Sequence, residues 1–417
     1  SYPAEARSFA ELMVGSTSRN LVRVFFLQNR LKGQGARPET QIERVHVVGA
    51  GVMGGDIAAW CALRGLHVTL QDREQQYIEP AMRRAAKLFS KRVRDANERA
   101  TVGDRLVADV NGEGVAEADL VIEAIFENAD AKQSLYEKLQ ETMKPGALLA
   151  TNTSSIRLED LRTVVNEPMR FIGLHFFNPV AQLPLVEVIR CVDTDQAALD
   201  LAFDFVKSIG KFPLECRSSP GFLVNRLLAP YMAEAMYLAE EGVPLSTIDR
   251  AAEAFGMPIG PVELIDSVGL DVALHVSNVL SKALDREAPD TLTGMVDQGD
   301  FGRKSGKGFY EWVDGKAVKP AGGPVADHPG ITDRLILTLV NEAVACLAER
   351  VVRDADLLDA GVIFGTGFAP FRGGPLQYAR DRGVDEITAT LASLAESHGP
   401  RFLPHPGWDE LRGPDTE

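Results

Sequence analysis

The chain reads as an α/β domain with a mostly parallel sheet, followed by all-α domains that contain a duplicated helical unit. Three observations carry this reading. From Ile42 onward, short apolar runs alternate with helical segments, the pattern of a parallel sheet covered by helices on both faces. A glycine-rich turn, Gly49-Ala50-Gly51-Val52-Met53-Gly54, directly follows the first of those runs. After Pro220-Gly221 the strand-like runs stop and helical periodicity takes over.

In chain order, residues 1–40 read as a linker helix, helical from about Ala4 to Leu31. It ends in the Gly/Pro-rich stretch Lys32-Gly33-Gln34-Gly35-Ala36-Arg37-Pro38. Phe25 and Phe26 on that helix need a packing partner, in this chain or in a neighbour. Strands are expected over 45–48, 67–72, 120–126, 147–152 and 170–175, with an apolar segment at 185–189. Helices are expected over 56–64, 78–99 and 131–143, so this α/β domain is placed at 41–217. Helices over 222–241, 247–255 and 265–284 make a helical domain at 218–320. A second helical domain, 321–417, repeats the first. Asn225-Arg226-Leu227-Leu228 and Glu234-Ala235 echo Asp333-Arg334-Leu335-Ile336 and Glu342-Ala343, while Ala251 and Phe255-Gly256 echo Ala360 and Phe364-Gly365.

At 417 residues the chain is too long for one core. Its net charge of -15 argues against a general nucleic-acid binder, although a local basic patch leaves room for an anionic substrate. No run of about 18 apolar residues is present, so no membrane span is expected. Cys61, Cys191, Cys216 and Cys346 are scattered, without Cys-x-x-Cys or a Cys/His cluster. Reduced thiols in a cytoplasmic compartment are therefore expected, with no disulfide framework and no metal site. Because the chain begins at Ser1, it reads as a processed product or a fragment of something longer.

The glycine turn has the G-x-G-x-x-G pattern of a dinucleotide site. Gly49 permits the tight turn, Gly51 lets backbone approach a pyrophosphate and Gly54 lets helix and strand pack closely. Asp72 ends the second strand about 20 residues on, where a carboxylate accepts from a ribose 2'-hydroxyl and repels a 2'-phosphate. NAD is thus favoured over NADP, with Arg73 beside it softening the preference. Glu127 and Lys132 follow the strand at 120–126, at the sheet edge where ligands bind; they read either as a surface ion pair or as ligand contacts. Asn152-Thr153-Ser154-Ser155 ends another strand at that edge. Ser155 reads as a helix cap and Ser154 as a substrate contact.

His175, in Gly173-Leu174-His175-Phe176-Phe177-Asn178-Pro179, ends a strand, and Glu187 lies on the next apolar segment. A carboxylate on one ring nitrogen fixes the tautomer and raises the basicity of the other, which makes a general base. Beside a hydride acceptor, such a base oxidises an alcohol. Asn225 opens the helical region as either an interior polar contact or a donor to substrate oxygen. The helix bearing Arg83-Arg84, Lys87, Lys91-Arg92 and Arg94 is either a solvated face or a landing site for a phosphate-bearing carrier such as coenzyme A.

These motifs together resemble the L-3-hydroxyacyl-CoA dehydrogenase family, over nearly the whole chain. The glycine turn, Asn152-Thr153-Ser154-Ser155, His175-Phe176-Phe177-Asn178-Pro179, Pro220-Gly221-Phe222 with Asn225-Arg226, and Gly302-Arg303-Lys304-Ser305-Gly306-Lys307-Gly308-Phe309-Tyr310 stand in family order. Ser18-Arg19-Asn20-Leu21 with Val24-Phe25-Phe26, and the second helical unit, are similar to the dehydrogenase part of the multifunctional fatty-acid oxidation α-subunit. There a hydratase domain usually precedes this part, and the residues before Ile42 are not expected to hold one.

The resemblance implies a Rossmann-like NAD-binding domain and NAD-dependent oxidation of (3S)-hydroxyacyl-CoA in fatty acid β-oxidation. It makes His175 the base and Glu187 its partner, with Ser154 and Asn225 on the substrate's oxygens. Gly49, Gly51, Met53, Gly54, Asp72, Glu127, Lys132, Ser154 and Asn178 would bind NAD. An acyl-CoA substrate, a hydratase domain, a thiolase subunit and an oligomeric state follow from it as expected partners and assembly. Two departures stand out: Asp333 replaces the asparagine equivalent to Asn225, and Phe364 stands where relatives carry the tyrosine of Tyr-Gly-x-Gly-Phe-Pro-Pro-Phe. The rival readings are a CoA-independent hydroxy-acid dehydrogenase and a non-catalytic docking fragment of a multienzyme complex.

Overall fold

The computed structural model describes residues 2–38, 41–285, 289–320 and 329–412, so the expected boundary at 320/321 borders residues outside the description. Two compact units emerge, Arg30–Phe222 and Ser1–Asn29 with Leu223–Glu417. The chain opens with two helices rather than one, α1 (Tyr2–Val14) and α2 (Ser16–Lys32). They break at Gly15, whose backbone freedom makes a helix interior unfavourable.

The unit Arg30–Phe222 is built on an eight-stranded sheet: β1 (Arg44–Val48), β2 (His67–Gln71), β3 (Leu106–Ala108), β4 (Leu120–Glu123), β5 (Leu148–Thr151), β6 (Phe171–Phe176), β7 (Leu185–Arg190) and β8 (Phe212–Arg217). The order is β3-β2-β1-β4-β5-β6-β7-β8. Strands β1 to β6 run parallel, β7 returns antiparallel to β6, and β8 runs with β7. The order reverses between β1 and β4, and the crevice above that reversal is where open α/β sheets bind ligands.

The helices of this unit are α3 (Val52–Leu63), α4 (Gln75–Arg92), α5 (Ala96–Asp104), α6 (Ala129–Gln140), α7 (Leu158–Leu161) and α8 (Gln196–Ser208). Val47, Leu70, Ile122, Ala150, Ile172 and Val188, one from each of six strands, share a core with Ile57, Ala58 and Cys61 of α3 and Phe203 of α8. The single helix expected over 78–99 is two. Asp95 ends the run, and its side chain accepts from Glu98 N at 2.8 Å to start α5, as an N-cap does. Strands β3 and β8 were not expected; the first has three residues and the second carries Pro213 and Glu215 inside its apolar pattern.

The Gly/Pro-rich stretch after α2 is packed rather than a free linker. Gln34 is buried and donates to Pro213 O at 2.6 Å, while Lys207 Nζ donates to Gln34 O at 2.9 Å. Gly35 sits at φ +74 with Phe203 filling the place of a Cβ.

The other unit holds α9 (Val224–Glu240), α10 (Leu245–Phe255), α11 (Pro261–Val268), α12 (Leu270–Leu284) and α13 (Thr291–Asp297). A small hairpin, β9 (Glu311–Val313) and β10 (Lys316–Val318), follows, so strands do recur after Pro220. Then come α14 (Pro329–Ala348), α15 (Ala355–Thr366), α16 (Pro375–Arg382), α17 (Val384–His398) and α18 (Trp408–Leu411). The expected helix over 265–284 breaks at Gly269, at φ +104, into α11 and α12 bent by 103°. No single described helix is long and apolar enough to cross a membrane.

The duplication is visible as reciprocal ion pairs where α9 packs on α14. Arg226 of α9 meets Glu342 at 2.7 Å and Glu349 at 2.6 Å; Arg334 of α14 meets Glu234 and Glu241, both at 2.6 Å. The three equivalent pairs, Arg226/Arg334, Glu234/Glu342 and Glu241/Glu349, are each 108 positions apart. A second equivalence lies at the next helix starts. Asp249 accepts from Val262 N and Asp359 from Leu376 N, both at 2.8 Å, beside Gly260-Pro261 and Gly374-Pro375. Lys319 neutralises Asp249, whereas Arg23 of α2 neutralises Asp359 at 2.8 Å. Asn20 donates to Phe371 O and Asp381, both at 3.1 Å, so the polar face of α2 is tied to the second repeat. Phe25 and Phe26 stay exposed, at 58% and 63%.

Candidate active site

Antiparallel pairing of β6 with β7 sets His175 directly opposite Glu187. The His175 Nδ1 to Glu187 Oε2 distance is 2.7 Å, with His175 5% and Glu187 0% exposed. Nε2 makes no hydrogen bond among the described residues, so with Nδ1–H donated to the carboxylate its lone pair is available. Phe177 and Phe222 wall the ring at centroid distances of 4.6 and 5.7 Å. Phe222 holds that place at φ 52, an uncommon conformation for a bulky residue. His46 on β1 makes a useful contrast. It is buried with Nδ1 on Thr69 at 2.7 Å and Nε2 on Gln71 at 3.0 Å, a satisfied core histidine with no nitrogen to spare.

The glycine turn lies between β1 and α3 at the carboxyl edge of the sheet. Gly49 has φ +105, and a Cβ there would sit 2.4 Å from Ala124 O; at Gly54 it would lie 1.9 Å from Gly49 O. At Gly51 a Cβ would meet nothing within 4 Å, so this backbone faces open space at the start of α3, as close approach of a pyrophosphate requires. Met53 packs partly against the core. Asp72, just past β2, accepts from Ala50 N at 2.8 Å and Arg73 N at 2.7 Å, placing its carboxylate against the turn. Arg84 of α4 braces the turn by donating to Gly51 O at 2.7 Å and pairs with Asp56 at 3.3 Å. These residues fit a dinucleotide.

Glu127 and Lys132 do not form a surface pair. Glu127 Oε1 accepts from Thr153 Oγ1 at 2.6 Å, Ser154 N at 2.9 Å, Ser155 N at 3.0 Å, Ser155 Oγ at 3.1 Å and Ser154 Oγ at 3.3 Å. Burial alone would raise its pKa, but the Lys132 charge and these donors hold it down to about 2. Ser154 and Ser155 thus both serve Glu127. Lys132 is 1% exposed and lies between two carboxylates, Glu123 at 2.6 Å and Glu127 at 3.3 Å.

Glu123 was not singled out from the sequence, yet it also accepts from Ile125 N, Tyr136 OH and Thr151 Oγ1. The available signal was an acid closing the otherwise apolar strand Leu120-Val121-Ile122-Glu123. Asn152, another residue whose role the motif alone does not reveal, accepts at Oδ1 from Phe176 N at 3.0 Å, tying the loop after β5 to the residue beside the base. Asn178 is exposed, and its bond to Pro179 is cis. Asn225 lies in the first turn of α9, in the other unit. Asp333 is paired with Arg382 through both oxygens, a structural use of the position equivalent to Asn225. Phe364 lies half-buried on α15. No group of three or more metal-ligating side chains occurs among the described residues.

The loop between β6 and β7 is held from behind. Lys211, buried, donates Nζ to Val180 O and to Leu183 O at 2.6 Å and sits 4.5 Å from the Trp60 ring centroid. Arg92 of α4 donates to Ala181 O at 3.1 Å. The basic helix is therefore partly committed within the unit, at Arg84 and Arg92, while Arg83 pairs with Glu79.

A doubly wound NAD-binding domain carrying a carboxylate-held histidine with an open ring nitrogen defines an NAD-dependent dehydrogenase. More particularly, the chain belongs to the 3-hydroxyacyl-CoA dehydrogenase family. The family's NAD binding domain matches residues 44–219 and its C-terminal domain residues 221–312. Among solved structures, 3-hydroxybutyryl-CoA dehydrogenase from Escherichia coli is 26% identical with a TM-score of 0.77, covering 89% of this chain and 98% of that one. (S)-3-hydroxybutyryl-CoA dehydrogenase PaaH1 from Ralstonia eutropha is 33% identical with a TM-score of 0.62, covering 66% and 100%. The dehydrogenase part of multifunctional enzyme 1 from C. elegans, 24% identical with a TM-score of 0.67, covers 95% and 99% and shares the fold.

Proposed function

We propose that the protein oxidises (3S)-3-hydroxyacyl-CoA thioesters to 3-ketoacyl-CoA in fatty-acid β-oxidation. The observation that carries this is the buried His175–Glu187 pair with Nε2 open. Bound NAD+ supplies the hydride acceptor. Gly51 at the head of α3 and Asp72 hold the dinucleotide, and Ser154 and Asn225 hold the substrate's oxygens. His175 Nε2 accepts the C3 hydroxyl proton, and Glu187 stabilises the resulting imidazolium while fixing the ring. Asn152, by accepting from Phe176 N, keeps the end of β6 in place during this transfer.

The choice of a CoA thioester is supported by the family and by the activity named for the Ralstonia eutropha relative. NADH absorbance with acetoacetyl-CoA, free acetoacetate and 3-hydroxyisobutyrate tests it, as does a comparison of (3S)- and (3R)-hydroxybutyryl-CoA. Turnover confined to the CoA thioesters and the (3S) form is expected. Faster turnover of a free hydroxy acid would overturn the reading.

A docking role accompanies the catalytic one. Phe9, Leu12, Met13 and Val14 on α1, and Leu21, Val22, Phe25 and Phe26 on α2, are all exposed, more apolar surface than short amphipathic helices usually leave bare. The partners we propose are a hydratase domain and a thiolase subunit in an oligomeric, cytoplasmic assembly. Sedimentation of the chain with a purified thiolase subunit tests this, and co-sedimentation lost in Phe25→Asp is the expected result.

A further inference from the structure

Three guanidinium groups of the NAD-binding unit surround a pocket that the oxidation does not use. Arg64 follows α3, Arg92 closes α4 and Arg105 precedes β3; with Trp60, Thr101 and Glu98 they line a cavity of about 350 Å³. None of the three is within 4 Å of a carboxylate among the described residues, although exposed arginines elsewhere in the chain, such as Arg44 and Arg412, have found one. Glu98 is the one acid on the lining, against three cations. Behind Trp60 lies a fourth cation, Lys211, its ammonium pulled down to about 8 by burial, against the influence of Cys61 and with the help of Arg92 and Arg64. Three like charges gathered around a single acid cost free energy, and in a chain of net charge -15 they form a local positive field that concentrates anions.

We propose that the pocket bounded by Arg64, Arg92 and Arg105 binds a phosphate-bearing anion. Planar guanidinium forks match phosphate oxygens in pairs, which gives both charge and geometry. The Trp60 and Leu63 side chains supply an apolar wall, and the volume exceeds that of a bare phosphate, leaving room for an organic group. The site reaches the catalytic loop. Arg92 holds Ala181 O, and Lys211 holds Val180 and Leu183, so an anion drawing on Arg92 and neutralising the field at Lys211 steadies residues 179–184, between His175 and Glu187.

The test is thermal unfolding at constant ionic strength with saturating NAD+ present, so that the glycine turn is filled. Inorganic phosphate and adenosine 3',5'-bisphosphate are titrated separately against the whole chain. A saturable rise of a few degrees is expected, since an anion that binds the folded chain and not the unfolded one stabilises it by mass action. Saturation by the bisphosphate at lower concentration identifies an organic phosphate ester; equal or better saturation by phosphate identifies the free ion. Arg105→Gln, and separately Arg64→Gln, should each raise the apparent Kd about tenfold and leave KM for NAD unchanged. Two independent variants, one at exposed Arg64 and one at half-buried Arg105, guard against one failing to fold. Hydrogen exchange of residues 179–184 should slow on titration. A phosphate response equal in wild type and both variants, or no saturable response, would overturn the site; unchanged exchange in the loop would overturn its link to catalysis.

Discussion

Glu187→Gln isolates what the buried carboxylate contributes to proton transfer. Gln keeps an oxygen facing His175 Nδ1 but removes the charge, in a place where Glu187 is wholly buried and 2.7 Å from the ring. The charge centres of an imidazolium and this carboxylate are about 4 Å apart, worth about 4 kcal/mol at an effective dielectric constant of 20. The hydrogen bond that Gln retains recovers about 1–2 kcal/mol of this. The net loss of about 2–3 kcal/mol falls on the state in which His175 has taken the proton, so kcat should fall about 30- to 150-fold. KM for both NAD and acyl-CoA should stay within a few-fold, because Glu187 contacts neither. Steady-state NADH formation from (3S)-hydroxybutyryl-CoA measures both constants, with near- and far-UV circular dichroism as the folding control. A folded variant with kcat within threefold of wild type would refute the role assigned to Glu187.

Glu127 sets an acid limb on stability: its folded pKa of about 2 lies below the ordinary carboxylate value of 4.5, so its contribution is present above pH 4.5 and is lost as pH falls toward 2. That contribution is about 3 kcal/mol, and urea midpoints at pH 7 and pH 3 should differ by less in Glu127→Gln than in wild type. Gly51→Ala should fold with an unchanged Tm yet raise KM for NAD about tenfold, whereas Gly54→Ala, with a Cβ 1.9 Å from Gly49 O, should lose several degrees of Tm; equal effects would contradict the distinct roles of the two glycines. Arg226→Met removes the buried cation that pairs with Glu342 in the α9–α14 contact and should cost about 3–5 kcal/mol in urea unfolding, with a loss under 1 kcal/mol speaking against a buried pair. Lys211→Met should lower kcat while sparing KM for NAD, because it frees the carbonyls of Val180 and Leu183 without touching the glycine turn.

Local patterns in the sequence were enough for the parts of the fold that rest on local physics. The glycine turn is six consecutive residues, and a strand before it and a helix after it are fixed by periodicity and by what each glycine permits. The helical duplication was legible because Arg226 and Arg334, and Glu234 and Glu342, keep their spacing; the reciprocal ion pairs are its reason. Element breaks were harder. The α4–α5 and α11–α12 divisions rest on single residues, Asp95 and Gly269, inside patterns that otherwise continue. Strand β3 was too short to show a period, and β8 hid behind Pro213 and Glu215.

That a histidine and a glutamate stand on neighbouring apolar segments beside a dinucleotide turn is legible from residue order alone. The antiparallel run of β7 against β6, which puts the two in register, emerges only on folding, because pairing direction depends on how the connecting loop is anchored and not on either strand alone. The same holds for Glu127, which gathers its donors from the loop after β5, and for Lys132, which two carboxylates from β4 and its following loop enclose. The Glu127 bonds join residues 26 to 28 positions apart that follow β4 and β5, adjacent strands in the sheet, and strand adjacency is a property of the whole packed domain.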